Sequence, residues 1–119
     1  MNNIKVSENF KLSEFQCKCG CGQVKLHSEL LGRLQAIRTQ TGRSVRINSA
    51  YRCPTHNKKV GGASGSQHLF GKAADIVIVG MPISQQRKIC EQRFGDGGIG
   101  YAKTYTHVDV RGQKARWTY

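Results

Sequence analysis

The feature that most constrains this chain is the apolar run of residues 73–79, Ala-Ala-Asp-Ile-Val-Ile-Val. Its length and its β-branched residues, between a loop rich in glycine and serine and the turn at Gly80, predict a buried strand. The run carries one carboxylate, Asp75, close to its start, and His68 lies seven residues before it in the loop. The sequence therefore predicts a buried strand that begins beside two residues of metal-ligating chemistry.

Apolar residues also recur at helical spacing in residues 28–40, which predicts a helix with Ser28 as its N-cap and Gly42 as its stop. A second helix is predicted over residues 83–94, and one or two helical turns over residues 55–60. These helices are expected to present apolar faces to a common core.

Further strands are predicted over residues 45–49, 99–101 and 106–111. Strands and helices are segregated rather than strictly alternating, which predicts an α+β fold, a small antiparallel sheet with flanking helices. The length favours a single domain over residues 1–119. Within it, residues 1–16 are predicted to form an N-terminal docking arm with three apolar anchors, Phe10, Leu12 and Phe15.

The charge balance implies an anionic partner, since 19 Lys and Arg residues face seven Asp and Glu residues, a net charge of +12. Nucleic acid, acidic lipid and an anionic cell wall all have the required charge. The basic residues are scattered and form no nucleic-acid motif, so nucleic acid is the least favoured of these partners.

No apolar run approaches the roughly 20 residues of a membrane span, and the first residues lack the apolar run of a signal peptide. We therefore expect the protein to be made in the cytoplasm, and either to stay there or to leave without a Sec signal, for example through holin pores. We also expect it to be a monomer.

His68, Asp75 and His107 predict a catalytic zinc site, because two imidazoles and a carboxylate leave one position of the ion for water. His107 and Asp109 share a face of their predicted strand, and Tyr105 shares it too. Asp109 is then either a general base or an acceptor that orients the histidine ring. A His-x6-Asp pair alone is weak evidence, because most such pairs lie on the surface.

These residues carry a resemblance to a known family. The string Ser66-x-His68-x-x-Gly71-x-Ala73-x-Asp75, followed by His107, resembles the zinc D-Ala-D-Ala carboxypeptidase and peptidoglycan endopeptidase family. These are the LAS metallopeptidases, which share the Hedgehog/DD-peptidase fold. The resemblance spans about residues 9–117 and includes three flanking segments, residues 49–52, 56–62 and 106–112.

The resemblance implies that His68, Asp75 and His107 hold zinc. It also implies that Arg52 stabilises the oxyanion or a substrate carboxylate in the cleft, and that Ser66 forms a hydrogen bond there.

The implied activity is zinc-dependent hydrolysis of a peptide bond in bacterial peptidoglycan. The enzyme would be a D,D-carboxypeptidase or an endopeptidase, for example a phage or prophage endolysin. The alternatives are an inactive binding module of the same fold and, on charge alone, a nucleic-acid-binding protein.

The chain departs from the family where relatives carry a catalytic Glu or His shortly before the last zinc histidine. Thr104 and Tyr105 occupy those positions here. Elimination among the seven acidic residues leaves Asp109 as the predicted general base, with Asp96 behind it. Tyr105 is predicted to donate a hydrogen bond to the tetrahedral intermediate.

Five cysteines are many for a chain of this length. One interpretation is a second, structural zinc held by Cys17, Cys19 or Cys21, Cys53 and a contribution from His56. The other is free thiols, or a disulfide such as Cys17–Cys53. The Cys-x-Cys-x-Cys spacing differs from the Cys-x-x-Cys spacing of zinc knuckles, which favours the second interpretation.

Overall fold

The computed structural model describes residues 2–119, which form two sheets, three α-helices and two short 3-10 helices. The strands are β1 (Lys5–Ser7), β2 (Phe10–Lys11), β3 (Val45–Ser49), β4 (Ala73–Ile78), β5 (Gly98–Tyr101), β6 (Thr106–Asp109) and β7 (Ala115–Thr118). The α-helices are α1 (Ser28–Thr41), α2 (Pro54–Lys59) and α3 (Ile83–Phe94), and the 3-10 helices span Leu12–Phe15 and Gln67–Phe70. None of these helices is long and apolar enough to cross a bilayer.

The main sheet has five strands in the order β3-β4-β6-β5-β7, and β1 and β2 form a separate hairpin. This arrangement confirms the predicted α+β class. Every neighbouring pair is antiparallel except β5 and β7, which are parallel. The main sheet is therefore mixed, whereas the sequence predicted an antiparallel one. Strand β7 was missed because four residues carry too little alternation to predict a strand.

The core lies between the helices and the main sheet. Strand β4 is its centre, with Ile76 and Ile78 fully buried, and α3 contributes Phe94. Burying a side chain of this size contributes about 1.5–3 kcal/mol, so these contacts fix the helices on the sheet. The remaining large aliphatic side chains that are fully buried in the core are Leu30, Leu34, Ile37, Ile99 and Val108.

The ends of α1 follow the sequence with one correction. Gly42 ends the helix in the left-handed conformation, with φ at 66°, as predicted. The N-cap is His27 rather than Ser28, because the His27 ring accepts a hydrogen bond from the Glu29 N–H at 3.3 Å. Ser28 is instead the first helical residue.

The N-terminal segment packs on α1 and on the end of β3. Phe10 and Phe15 are buried, with ring centroids 5.7 Å apart. Ser7 Oγ donates to Gln35 Oε1 of α1 at 2.7 Å. Met1, the first residue of the predicted arm, lies outside the described residues.

The register of the main sheet sets up the site. Asp75 of β4 faces His107 of β6 across an antiparallel pair, and it faces Ser49 of β3 on its other side. The pairing of β3 with β4 shifts between Ile47 and Ser49. The chain then leaves β3 toward Arg52, at the edge of the same site.

Candidate metal centre

The structure brings His68, Asp75 and His107 together, and all three are at least 94% buried, with exposures of 3%, 6% and 4%. His68 belongs to the 3-10 helix Gln67–Phe70, whose N-cap Ser66 accepts a hydrogen bond from the His68 N–H at 3.3 Å. Gly71 ends this helix with φ at 70°, a conformation that favours glycine. The chain then turns directly into β4.

The distances fit a single zinc ion. Asp75 Oδ1 lies 3.3 Å from His68 Nε2 and 3.1 Å from His107 Nδ1. A tetrahedral zinc with ligands at about 2.1 Å separates neighbouring ligand atoms by about 3.4 Å. The three side chains therefore match zinc in ligand chemistry and in spacing, and all three line the cleft described below.

The remaining ring nitrogens are fixed by acceptors behind the site. His68 Nδ1 donates to the Ala50 carbonyl at 2.6 Å, and His107 Nε2 donates to Asp109 Oδ2 at 2.7 Å. These bonds direct His68 Nε2 and His107 Nδ1 toward Asp75. Hydrogen bonds of this kind orient metal-ligating histidines and increase their basicity.

Asp109 is fully buried behind His107, and its exposure is 0%. Its carboxylate also accepts from the Gly98 N–H at 2.9 Å and from Arg111 Nε and Nη2 at 2.9 and 2.7 Å. A carboxylate bonded on all sides has no contact with the cleft. These contacts are those of a carboxylate that orients the His107 ring, and the role of Asp109 as general base stays a prediction.

The hydrogen bonds among Asp75 and the two histidines shift the pKa values of Asp75 and His107. Burial alone would raise the pKa of the Asp75 carboxyl, but hydrogen bonds from His107 and His68 outweigh it and hold the pKa well below its usual range. For His107, burial opposes the charged ring, yet the bonds to Asp109 and Asp75 raise its pKa above the ordinary value. The site is thus built to attract positive charge.

Arg52 lies at the edge of the site. Its Nη2 is 3.6 Å from Asp75 Oδ2, and its other nitrogens donate to Ser49 Oγ and Asn57 Oδ1, both at 3.3 Å. Gly62 lies against this group, where a Cβ would collide with the Asn57 side chain. These contacts hold the guanidinium beside the cluster with its side chain 17% exposed.

The cluster forms the floor of a cleft of about 470 Å³. Two predicted substrate-binding residues, Ser66 and Tyr105, line this cleft. Arg111, Trp117 and Tyr119 also line the cleft, and sequence reasoning assigned none of them to it. Trp117 and Tyr119 stand out in the sequence as aromatic residues at the end of the chain. Only the pairing of β7 with β5 brings them to the cleft.

Trp117 forms one wall of the site. Its ring packs against the His107 imidazole, with centroids 4.9 Å apart, and the Arg111 guanidinium lies 4.9 Å from the Trp117 ring. Tyr51 is buried beside two cysteines and is not among the residues that line the cleft. Among the described residues, Asp75 is the only carboxylate side chain that lines the cleft.

A buried cluster of two imidazoles and one carboxylate that lines an open cleft can hold a single metal ion. Residues 8–109 match the family model for peptidase M15, so the chain belongs to the peptidase M15 family. The match confirms the family resemblance drawn from the sequence.

The chain is also similar to the zinc D-Ala-D-Ala carboxypeptidase of Streptomyces albus G, with 44% identity over 45 residues. Those residues make up 37% of this chain and 18% of the relative, so the match spans under a fifth of that protein.

Proposed function

We propose that this protein is a zinc-dependent peptidase that hydrolyses a peptide bond in bacterial peptidoglycan. The observation that carries the proposal is the cluster of His68, Asp75 and His107 at the spacing of zinc ligands, in a chain of the peptidase M15 family. The similarity to a zinc D-Ala-D-Ala carboxypeptidase supports the choice of metal and of substrate class.

Zinc bound to these three residues would supply Lewis acidity, which polarises the scissile carbonyl and lowers the pKa of water. Asp109 holds His107 in the tautomer and orientation that leave Nδ1 free to coordinate. The Ala50 carbonyl does the same for His68.

Arg52 is proposed to stabilise negative charge that develops on the substrate. Its guanidinium is held by Ser49 and Asn57 next to the cluster, so it requires little reorganisation during the reaction. A fixed guanidinium also suits recognition of a substrate carboxylate, which a carboxypeptidase needs.

Tyr105 is proposed as a hydrogen-bond donor to the substrate. Burial, together with the charge of Asp75, raises the pKa of its phenol, so the hydroxyl stays protonated at neutral pH. Ser66 both caps the helix that carries His68 and lines the cleft, and it is proposed to bind the substrate.

The charge of +12 favours an anionic cell wall as the site of action. A phage or prophage endolysin, released through holin pores, would combine this charge with a peptidoglycan substrate. Both D,D-carboxypeptidase and endopeptidase activity are compatible with the cleft, and the product distinguishes them.

A second candidate is a catalytically inactive binding module of the same fold. It is favoured by one observation: in residues 2–119, no carboxylate or imidazole side chain beyond the three ligands lines the cleft. Such a module would bind wall peptides with Arg52 and the cleft and would leave them intact.

The two candidates are separated by digesting purified peptidoglycan and defined muropeptides with zinc-loaded protein, with mass spectrometry of the products. A product that disappears with chelator and in His68→Asn supports the peptidase, and its mass names the bond. The matched control is His27→Asn, which changes an exposed histidine at a position where asparagine keeps the helix cap. Confirmed zinc binding with no product from any wall type would favour the binding module.

A further inference from the structure

Four cysteines converge outside the cleft. Cys17, Cys19 and Cys21 belong to the loop that follows the 3-10 helix Leu12–Phe15, and Cys53 is the N-cap of α2. Their sulfur atoms all lie within 4.8 Å of one another. We propose that this chain holds a second, structural zinc ion with Cys17, Cys19, Cys21 and Cys53 as its four ligands.

Three of the four sulfurs have the spacing of ligands around a single tetrahedral ion, and the Cys21 sulfur lies within 4.8 Å of each of them. Cys17 Sγ lies 3.4 Å from Cys19 Sγ and 3.7 Å from Cys53 Sγ, and Cys19 Sγ lies 3.7 Å from Cys53 Sγ. Zinc–sulfur bonds of about 2.3 Å place neighbouring sulfurs of a tetrahedral site about 3.8 Å apart. Sulfurs bound to different irons of a cluster would have to lie further apart.

The same distances favour a shared metal ion over a disulfide between two of these four cysteines. A disulfide joins two sulfurs and separates them from the rest, but here three sulfurs are nearly equidistant. The five cysteines, all among the described residues, form no disulfide in the structure. Three equivalent contacts are the arrangement of ligands that share one ion.

The loop is shaped to direct its sulfurs inward. Gly20 and Gly22 alternate with the cysteines and have φ values of 88° and 74°, which side-chain-bearing residues rarely adopt. They let the chain turn twice within six residues, so that Cys17, Cys19 and Cys21 face the same point. This explains how a Cys-x-Cys-x-Cys spacing serves one ion without the usual knuckle.

Backbone N–H groups point at the sulfurs from outside the cluster. The Cys53 N–H donates to Cys17 Sγ at 3.4 Å, the His56 N–H to Cys53 Sγ at 3.4 Å, and the Gln23 N–H to Cys21 Sγ at 3.5 Å. Such donors favour the thiolate, the form that binds metal. His56 thus supports the cluster through its backbone, and its ring is not among the ligands.

The cluster would connect the N-terminal segment to the segment that carries Arg52. The Tyr51 N–H donates to the Phe15 carbonyl at 3.1 Å, and the Arg52 N–H donates to the His68 carbonyl at 3.1 Å. Cys17, Tyr51 and Cys53 form a small buried group apart from the main core. A closed site of four protein ligands here would hold the wall of the cleft in place without taking part in chemistry.

The test is the metal content of the full chain, purified with zinc under reducing conditions without chelator. We expect two zinc ions per chain in the unaltered protein, and one in Cys19→Ser and in Cys21→Ser. His68→Asn should also retain one ion, which separates this site from the catalytic one. Cys90→Ala, a cysteine buried in the main core, is the control and should retain both.

Cobalt substitution gives a second readout that does not depend on the cysteine variants folding. Cobalt bound by four thiolates shows strong thiolate-to-metal charge-transfer absorption, which a site of histidine and aspartate cannot produce. We expect this absorption in the unaltered protein and in His68→Asn. One zinc per chain without a cobalt–thiolate band, a Cys17–Cys53 disulfide in the reduced preparation, or iron with sulfide would each overturn the proposal.

Discussion

The substitution Asp109→Asn would distinguish the two roles predicted for this carboxylate, which are general base and acceptor that orients the His107 ring. The substitution keeps the size of the side chain and removes its charge. Asp109 accepts from His107 Nε2, from Gly98 N–H and from the Arg111 guanidinium, so the new amide must direct its NH₂ at one of these donors. If it faces His107, the ring is driven to the tautomer that protonates Nδ1, the nitrogen that coordinates zinc.

Loss of a carboxylate that orients a metal ligand typically weakens metal binding 10- to 100-fold. This corresponds to about 1.4–2.7 kcal/mol of zinc binding free energy. We therefore expect the zinc dissociation constant of Asp109→Asn to rise by one to two orders of magnitude. Activity should recover largely when zinc is raised to saturation, because the proton transfers would not pass through Asp109.

The assay is competition for zinc with a chromophoric chelator, paired with peptidase activity over a zinc titration. Asp96→Asn is the control, since Asp96, the second candidate for the base, is exposed, pairs with Arg33 and does not line the cleft. An unchanged zinc affinity with kcat reduced by about 10²–10⁴-fold at saturating zinc would refute the reasoning. That result would assign proton transfer to Asp109.

Three further outcomes follow from the packing and the charges. Burial opposes protonation of His107, but its hydrogen bonds to Asp109 and Asp75 outweigh burial and raise its pKa, so protons compete with zinc for the ring. Zinc affinity, measured by chelator competition, should therefore fall about tenfold for each pH unit below that pKa. Phe94→Ala should lower the free energy of unfolding in urea by about 3–5 kcal/mol, whereas Phe70→Ala, at a ring 55% exposed, should change it by less than about 0.5 kcal/mol; equal effects would contradict the assigned core. Burial raises the pKa of the Cys90 thiol to about 12, so thiol reagents should label Cys90 only after denaturation.

Local patterns were sufficient for the elements that sequence reasoning predicted well. Strand β3 and helix α3 have the predicted bounds, because β alternation and helical spacing are properties of the segment itself. The three proposed ligands also meet, since His68 lies directly before β4 and His107 lies opposite Asp75 in the sheet.

The features that were missed depend on contacts distant in sequence. The wall formed by Trp117 exists only because β7 joins β5 in parallel, and no local pattern specifies which strand an edge strand will pair with. The burial of Asp109 also depends on such contacts. Strand alternation predicted which face of β6 it lies on, but not the hydrogen bonds from Gly98 and Arg111 that enclose its carboxylate. The convergence of Cys53 with the cysteine loop, in contrast, was part of both interpretations of the cysteines, and the path of the chain after β3 produces it.

The pairing of Asp75 with His107 across neighbouring strands also gives metal binding a mechanical meaning. An ion held by both residues would tie β4 to β6, and a slip of one residue in their register would turn one ligand to the opposite face. Zinc binding would then depend on the native register of β4 and β6, since only that pairing places both ligands on the same face. At a free zinc concentration 100 times the dissociation constant, this linkage would stabilise the fold by about 2.7 kcal/mol, a sizeable fraction of the stability of a small domain.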